Sequence, residues 1–205
     1  MHTMKLRILA SLTALLAVAT ASAKVDYAAM NTPERSALVE RFVAGDTTLT
    51  PDQIDVVYYG AVFAPGYAAL PRSYDTINAL RAERRFDEMM PLCKKALADD
   101  PTNLTLLFRA FAGAYNTGDT AMKDNAASRV NQLCDAIFRS GKGVDTSDPF
   151  EVVIDSDIEQ FLTNYLQVEQ ILDSAMLGPL TVAKVKLPGR DDPAYLYFRV
   201  YKPKG

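Results

Sequence analysis

The hydrophobic pattern of this chain changes period part-way along, and that change constrains the fold more than any other feature. From Leu38 to Phe138 apolar residues recur at three- and four-residue spacing, the mark of helices that bury one face. Towards the C-terminus the period shortens. Leu180 to Leu187 and Tyr195 to Tyr201 alternate at period two, joined by Pro188-Gly189-Arg190-Asp191-Asp192-Pro193, and read as a hairpin. Leu196, Phe198 and Val200 are expected to face the core, with Tyr195, Tyr197, Arg199 and Tyr201 on the other face. Helices first and strands last predict an α+β fold: a helical part, then a small C-terminal antiparallel sheet with helices.

Residues 1–23 read as a secretory signal peptide. Lys5 and Arg7 precede the apolar run Ile8 to Ala19, and Ala21-Ser22-Ala23 supplies a small-residue cleavage site. Cleavage before Lys24 removes His2, the only histidine, and the chain holds no tryptophan. Ser-His-Asp and Cys-His catalysis, His-ligated metals and imidazole switching are thereby excluded, and no cofactor or metal is expected. Hydrophobic content of 49% and charged content of 23% are those of an ordinary globular protein. Net charge moves from −3 for the whole chain to about −5 without the leader. Outside the leader no apolar run approaches the ~20 residues that span a bilayer, so no transmembrane segment is expected. An exported protein, periplasmic or secreted, follows, and nucleic acid is not an expected partner. The expected organisation is a leader at 1–23, a helical part at 24–143 and an α+β part at 144–205 packed on it as one globular unit.

Start and stop signals divide the helical part. Thr32-Pro33 resembles an N-cap followed by a first-position proline, and Thr50 with Gln53 forms a capping box that puts Ile54, Val57, Tyr58 and Ala61 on one face. A helix from Tyr74 ends in the basic turn Arg81, Arg84, Arg85, which complements the helix dipole. The segment Phe86 to Asn103 resembles the second half of a tetratricopeptide repeat, through Asp87-Glu88, Lys95-Ala96-Leu97 and the closing Asp100-Pro101 with Asn103. Pro91 departs from that pattern and is expected in or near the first turn. The repeat frame implies a helix from Leu104 to about Tyr115, a turn at Gly118-Asp119 and a helix from Ala121 to Phe138, the latter without a closing Asp-Pro. It also implies a groove lined by Tyr74, Asn78, Arg81, Phe108, Ala112 and Tyr115. In this frame Cys93 and Cys134 sit about 10 Å out of step on neighbouring helices, too far for a disulfide.

In the C-terminal part Phe150 to Ile154 reads as a strand. Ser156-Asp157-Ile158-Glu159 reads as a capping box opening a helix that runs to Leu166 and continues from Gln167 to Leu172. The same box accounts for Asp155, Asp157 and Glu159 better than a calcium loop, since Gln160 and Leu166 occupy positions that need Gly and Glu. Ser140-Gly141-Lys142-Gly143 lacks the upstream glycine and following hydroxyl of a phosphate loop and reads as a helix end with a flexible turn.

The chain resembles an uncharacterised family of exported Bacteroidetes proteins, a domain of unknown function with tetratricopeptide-like helices. Leu49-Thr50-Pro51-Asp52 leading to Val57-Tyr58-Tyr59-Gly60, then Tyr67, Gln170-Ile171-Leu172 and Tyr195-Leu196-Tyr197-Phe198 carry the resemblance. It implies a fold and a compartment but no activity. The leading expectation is a non-enzymatic module that binds a protein or peptide in the helical groove. The alternative is a glycan- or lipid-headgroup-binding face of Lys184, Lys186, Tyr195, Tyr197, Arg199 and Tyr201, set in a basic C-terminal stretch. A carboxylate-based hydrolase is the remote third.

Overall fold

The computed structural model of the protein describes residues 25–67 and 71–202. Among these residues, seven α-helices and a four-stranded mixed sheet make an α+β fold. The expected leader lies outside the described residues.

The helical part follows its sequence signals closely. α1 (Arg35–Val43) starts later than Thr32-Pro33 suggests: the Arg35 N–H donates to the Thr32 carbonyl in a preceding turn, and no side chain caps the helix. α2 (Pro51–Tyr59) opens on the expected capping box, the Gln53 N–H donating to the Thr50 hydroxyl at 3.3 Å and the Thr50 N–H to the Gln53 side chain at 3.0 Å. The helices α3 (Tyr74–Ala82), α4 (Phe86–Asp99), α5 (Leu104–Thr117) and α6 (Thr120–Arg139) then stack in chain order, each packed on the next. Their buried sides carry the periodic residues, among them Ile77, Met89, Leu107, Ala110 and Leu133. Pro91 lies at the sixth position of α4, deeper than the first turn. It is exposed, as is Asp87, so the Asp87 carbonyl that loses its helical partner faces solvent. Cys93 and Cys134 are both buried and free.

The C-terminal part departs further from its expected form. β1 (Phe150–Val152) is a strand, but α7 (Ser156–Gln160) has no capping box. Asp155, at the cap position, already has helical backbone angles, and the Asp157 N–H donates to the Ile154 carbonyl at 3.1 Å. With the turn running straight into the helix, Ser156 has no orphan amide to accept. A π-helical turn, Phe161–Tyr165, follows. The chain then stops being helical at Gln167, whose φ is +54°. The expected helix over 167–172 is instead the start of β2 (Gln170–Leu177), because pairing with β3 (Leu180–Lys186) outweighs the local pattern. β3 and β4 (Ala194–Val200) form the predicted hairpin. The strand order is β1-β4-β3-β2, and β1 lies parallel to β4 while the other pairs are antiparallel, so the sheet is mixed rather than antiparallel throughout.

The two parts share one core. Its buried residues run from Phe42 in α1 to Phe198 in β4, and Phe150, Phe161 and Phe198 meet at 5.2–6.2 Å between ring centroids. The Ser140-Gly141-Lys142-Gly143 turn is built into this junction and is not a free loop. The Lys142 and Gly143 N–H groups both donate to the Asp148 carbonyl, and a β-carbon on Gly143 (φ +67°) would strike the Phe150 ring.

Candidate binding site

On α3, Ile77 and Leu80 point into the core, which rotates Tyr74, Asn78 and Arg81 one step round the helix, at i, i+4 and i+7. On α5, Leu104, Leu107, Ala110 and Ala114 are buried, and Phe108, Ala112 and Tyr115 take the corresponding stripe. The two stripes are tied together. Arg109 Nε donates to Asn78 Oδ1 at 3.0 Å, spanning from α5 to α3. Tyr74, Asn78, Phe108 and Ala112 are half-buried, Arg81 is exposed and Tyr115 is 67% exposed. α7 packs on α5 and brings Glu159 within electrostatic reach of Arg109. Burial lowers the Arg109 pKa first, and the neighbouring charge of Arg81 lowers it further.

Arg109 is the residue of this face that the sequence reading passed over. The signal was available: it is the one charged side chain in the otherwise apolar and neutral α5. Arg85 forms ion pairs with Glu83 and Glu88 at 2.8 and 2.7 Å, and the Arg84 guanidinium lies 5.9 Å from the Phe86 ring centre.

The six residues expected on the sheet face are not one surface. Lys184 is the register partner of Tyr195, which is 51% exposed, and Tyr197 is half-buried beside Val182. Lys186 pairs with Glu169 at 2.9 Å. Arg199, however, donates to the buried Glu151 carboxylate across the parallel β1–β4 pair. Tyr201 packs against Tyr27, the rings tilted 40° to one another with centroids 4.6 Å apart. The segment before α1 has covered that end of the sheet, so Arg199 and Tyr201 belong to packing.

A second buried arrangement was not expected at all. Four tyrosines fasten the helices to the β1 segment. The Tyr59 hydroxyl donates to the carbonyls of Ala136 (3.1 Å) and Glu151 (3.3 Å), and the Tyr67 hydroxyl donates to the Val153 carbonyl. The Tyr58 hydroxyl donates to Asp157 at 2.6 Å and accepts from the Val153 N–H at 3.4 Å. Tyr27 packs edge-on against Tyr59. Asp157 is 1% exposed, and burial raises its pKa to about 7 despite the Tyr58 hydrogen bond. Asp155 and Glu159 are exposed on the other side, so the three carboxylates do not converge. No cluster of ligating side chains suited to a metal occurs among the described residues.

Gly60 completes this seam, since a β-carbon there would meet the Met30 carbonyl and the Arg35 side chain. A profile described as Domain of unknown function (DUF4919) matches residues 31–204. The chain belongs to that family. No curated protein and no solved structure matches it. The DUF4919 match spans both the helical part and the sheet, in keeping with their common core.

One further concavity, a cleft of about 440 Å³, lies between the segment before α1, the start of α2 and the end of α6. Several of its polar groups are engaged. Asp55 pairs with Arg139 at 2.7 Å, and the Asp26 carboxylate accepts from the Ala28 and Ala29 N–H groups. Among the described residues no helix is long and apolar enough to cross a membrane.

Proposed function

We propose that this protein is a non-enzymatic interaction module that binds an extended segment of a protein partner on the α3–α5 face. The observation that carries the reading is the Arg109–Asn78 hydrogen bond, which holds two stripes of aromatic and polar side chains on one side of the molecule. The exposed Tyr115 ring at the end of the α5 stripe is a natural anchor, because buried aromatic anchors dominate binding energies. The reading extends to export, directed by the 1–23 leader, with the periplasm as destination. It also includes a place among exported Bacteroidetes proteins with tetratricopeptide-like helices. The non-enzymatic part is supported by how the buried carboxylates are used: Glu151 pairs with Arg199, and Asp157 accepts from Tyr58.

A photo-reactive benzophenone side chain in place of Tyr115 tests this in cells. The expected result is a discrete protein adduct that weakens with Phe108→Ala. Adducts from a probe at Tyr195 and none at Tyr115 would refute it. That outcome would favour the second reading, a glycan or lipid headgroup on the sheet, which the open Lys184–Tyr195 register pair supports.

A further inference from the structure

Six of the eleven arginines among the described residues are accounted for by partners. Arg41, Arg85, Arg139 and Arg199 pair with carboxylates, while Arg35 and Arg129 donate to the carbonyls of Val57 and Pro101. Arg72, Arg81, Arg84, Arg109 and Arg190 have neither kind of partner among the described residues, and of these Arg81 and Arg109 share the α3–α5 face. Neither forms an ion pair among the described residues, although all 25 Asp and Glu side chains lie within them.

The pair is also close together. Asn78 holds Arg109 through Nε, and Arg81 follows Asn78 by one helical turn, near enough for its charge to disfavour protonation of Arg109. The Nε contact fixes the plane of the Arg109 guanidinium and leaves its terminal NH₂ groups for another acceptor. Arg109, held by Asn78, and the exposed Arg81 near it repel each other and reward an anion that binds both. Glu159, at the rim, offsets them only from a distance. Phe108 and Tyr115 flank the arginines along α5, and Tyr74 does so on α3.

We propose that Arg81 and Arg109 are the anion-recognition centre of the helical face and take a side-chain carboxylate of an acidic, extended peptide segment. The proposal rests on the helical-face reading and adds the chemistry of its partner. Planar, forked guanidiniums suit carboxylates, and the aromatic stripes suit the apolar neighbours of a peptide better than they suit a free ion.

The test is fluorescence polarisation at low salt with a labelled decapeptide of alternating Glu and Leu, beside its Gln and Leu counterpart. The Glu peptide should bind at least about tenfold more tightly than the Gln peptide. Arg81→Gln and Arg109→Gln should each weaken it by about tenfold or more, and Arg109→Lys should not restore it. Arg81 is exposed and its side chain makes no hydrogen bond or ion pair among the described residues, so its variant separates recognition from folding. Equal binding of both peptides, no binding of the Glu peptide, or wild-type binding by Arg81→Gln overturns the proposal. Displacement by inorganic phosphate as readily as by unlabelled Glu peptide also overturns it. The Tyr115 cross-link then reports separately whether the helical face still has a partner.

Discussion

Burial brings the ionisation of Asp157 into the neutral pH range. Its carboxyl is buried, receives one hydroxyl hydrogen bond from Tyr58 and faces the distant charge of Asp100, so burial dominates and its pKa rises from 3.8 to about 7. A carboxyl with a folded pKa above its unfolded one binds its proton more tightly in the native state. Its stabilising contribution is full below about pH 4 and is lost as pH rises through 7. The midpoint of urea unfolding is therefore expected to fall between pH 5 and pH 8. Asp157→Asn should remove most of that fall, and an unchanged fall would show that the group does not titrate there. Tyr58→Phe leaves the same carboxyl without its donor and the Val153 N–H without an acceptor. It is expected to cost about 1–3 kcal/mol in chemical denaturation. Nothing around Tyr58 in the sequence points to Asp157, 99 residues away.

At the scale of elements, two capping-box signatures of the same type behave differently, and the contrast is measurable. Thr50 and Gln53 make both hydrogen bonds of the box, whereas Ser156 and Glu159 make neither. Thr50→Ala is expected to lower stability by about 1 kcal/mol, and Ser156→Ala by less than about 0.5 kcal/mol. Equal losses would mean that α7 is capped after all. The same contrast explains where elements were legible. α2 through α6 carry sustained periodicity and defined ends, which local sequence alone encodes. β2 does not. Gln170-Ile171-Leu172 is a short apolar run compatible with either helix or strand, and only the β3 backbone beside it decides. An edge strand exposed along nearly all its length has no buried face to impose alternation.

At the scale of the whole molecule, the shared core is expected to make helices and sheet unfold as one cooperative unit. Cys93 and Cys134 lie inside it, and burial raises both thiol pKa values, that of Cys93 to about 11. Neither thiol is expected to react with a disulfide reagent in the native protein, and both should react together once guanidinium unfolds it. Separate reaction of one thiol at lower denaturant would reveal an independent unit.

Local sequence by itself determined the order of the helices, the β3–β4 hairpin, the α2 cap, the helix boundaries from Tyr74 to Arg139 and the inward face of β4. These depend on spacing, and spacing is written in the chain. The repeat frame pointed to Tyr74, Asn78 and Arg81 on α3 and to Phe108, Ala112 and Tyr115 on α5, but not to Arg109. Its role depends on a neighbour on another helix, Asn78, 31 residues earlier. The sheet face failed in part for the same reason. Period two places Arg199 and Tyr201 opposite the core, but it is silent about Glu151 and Tyr27 arriving from elsewhere to cover them. Tertiary structure decided the parallel β1–β4 pairing, the tyrosine seam and the burial of Asp157. Each is a contact between residues far apart in the chain, whose free energy depends on mutual burial that no local pattern records.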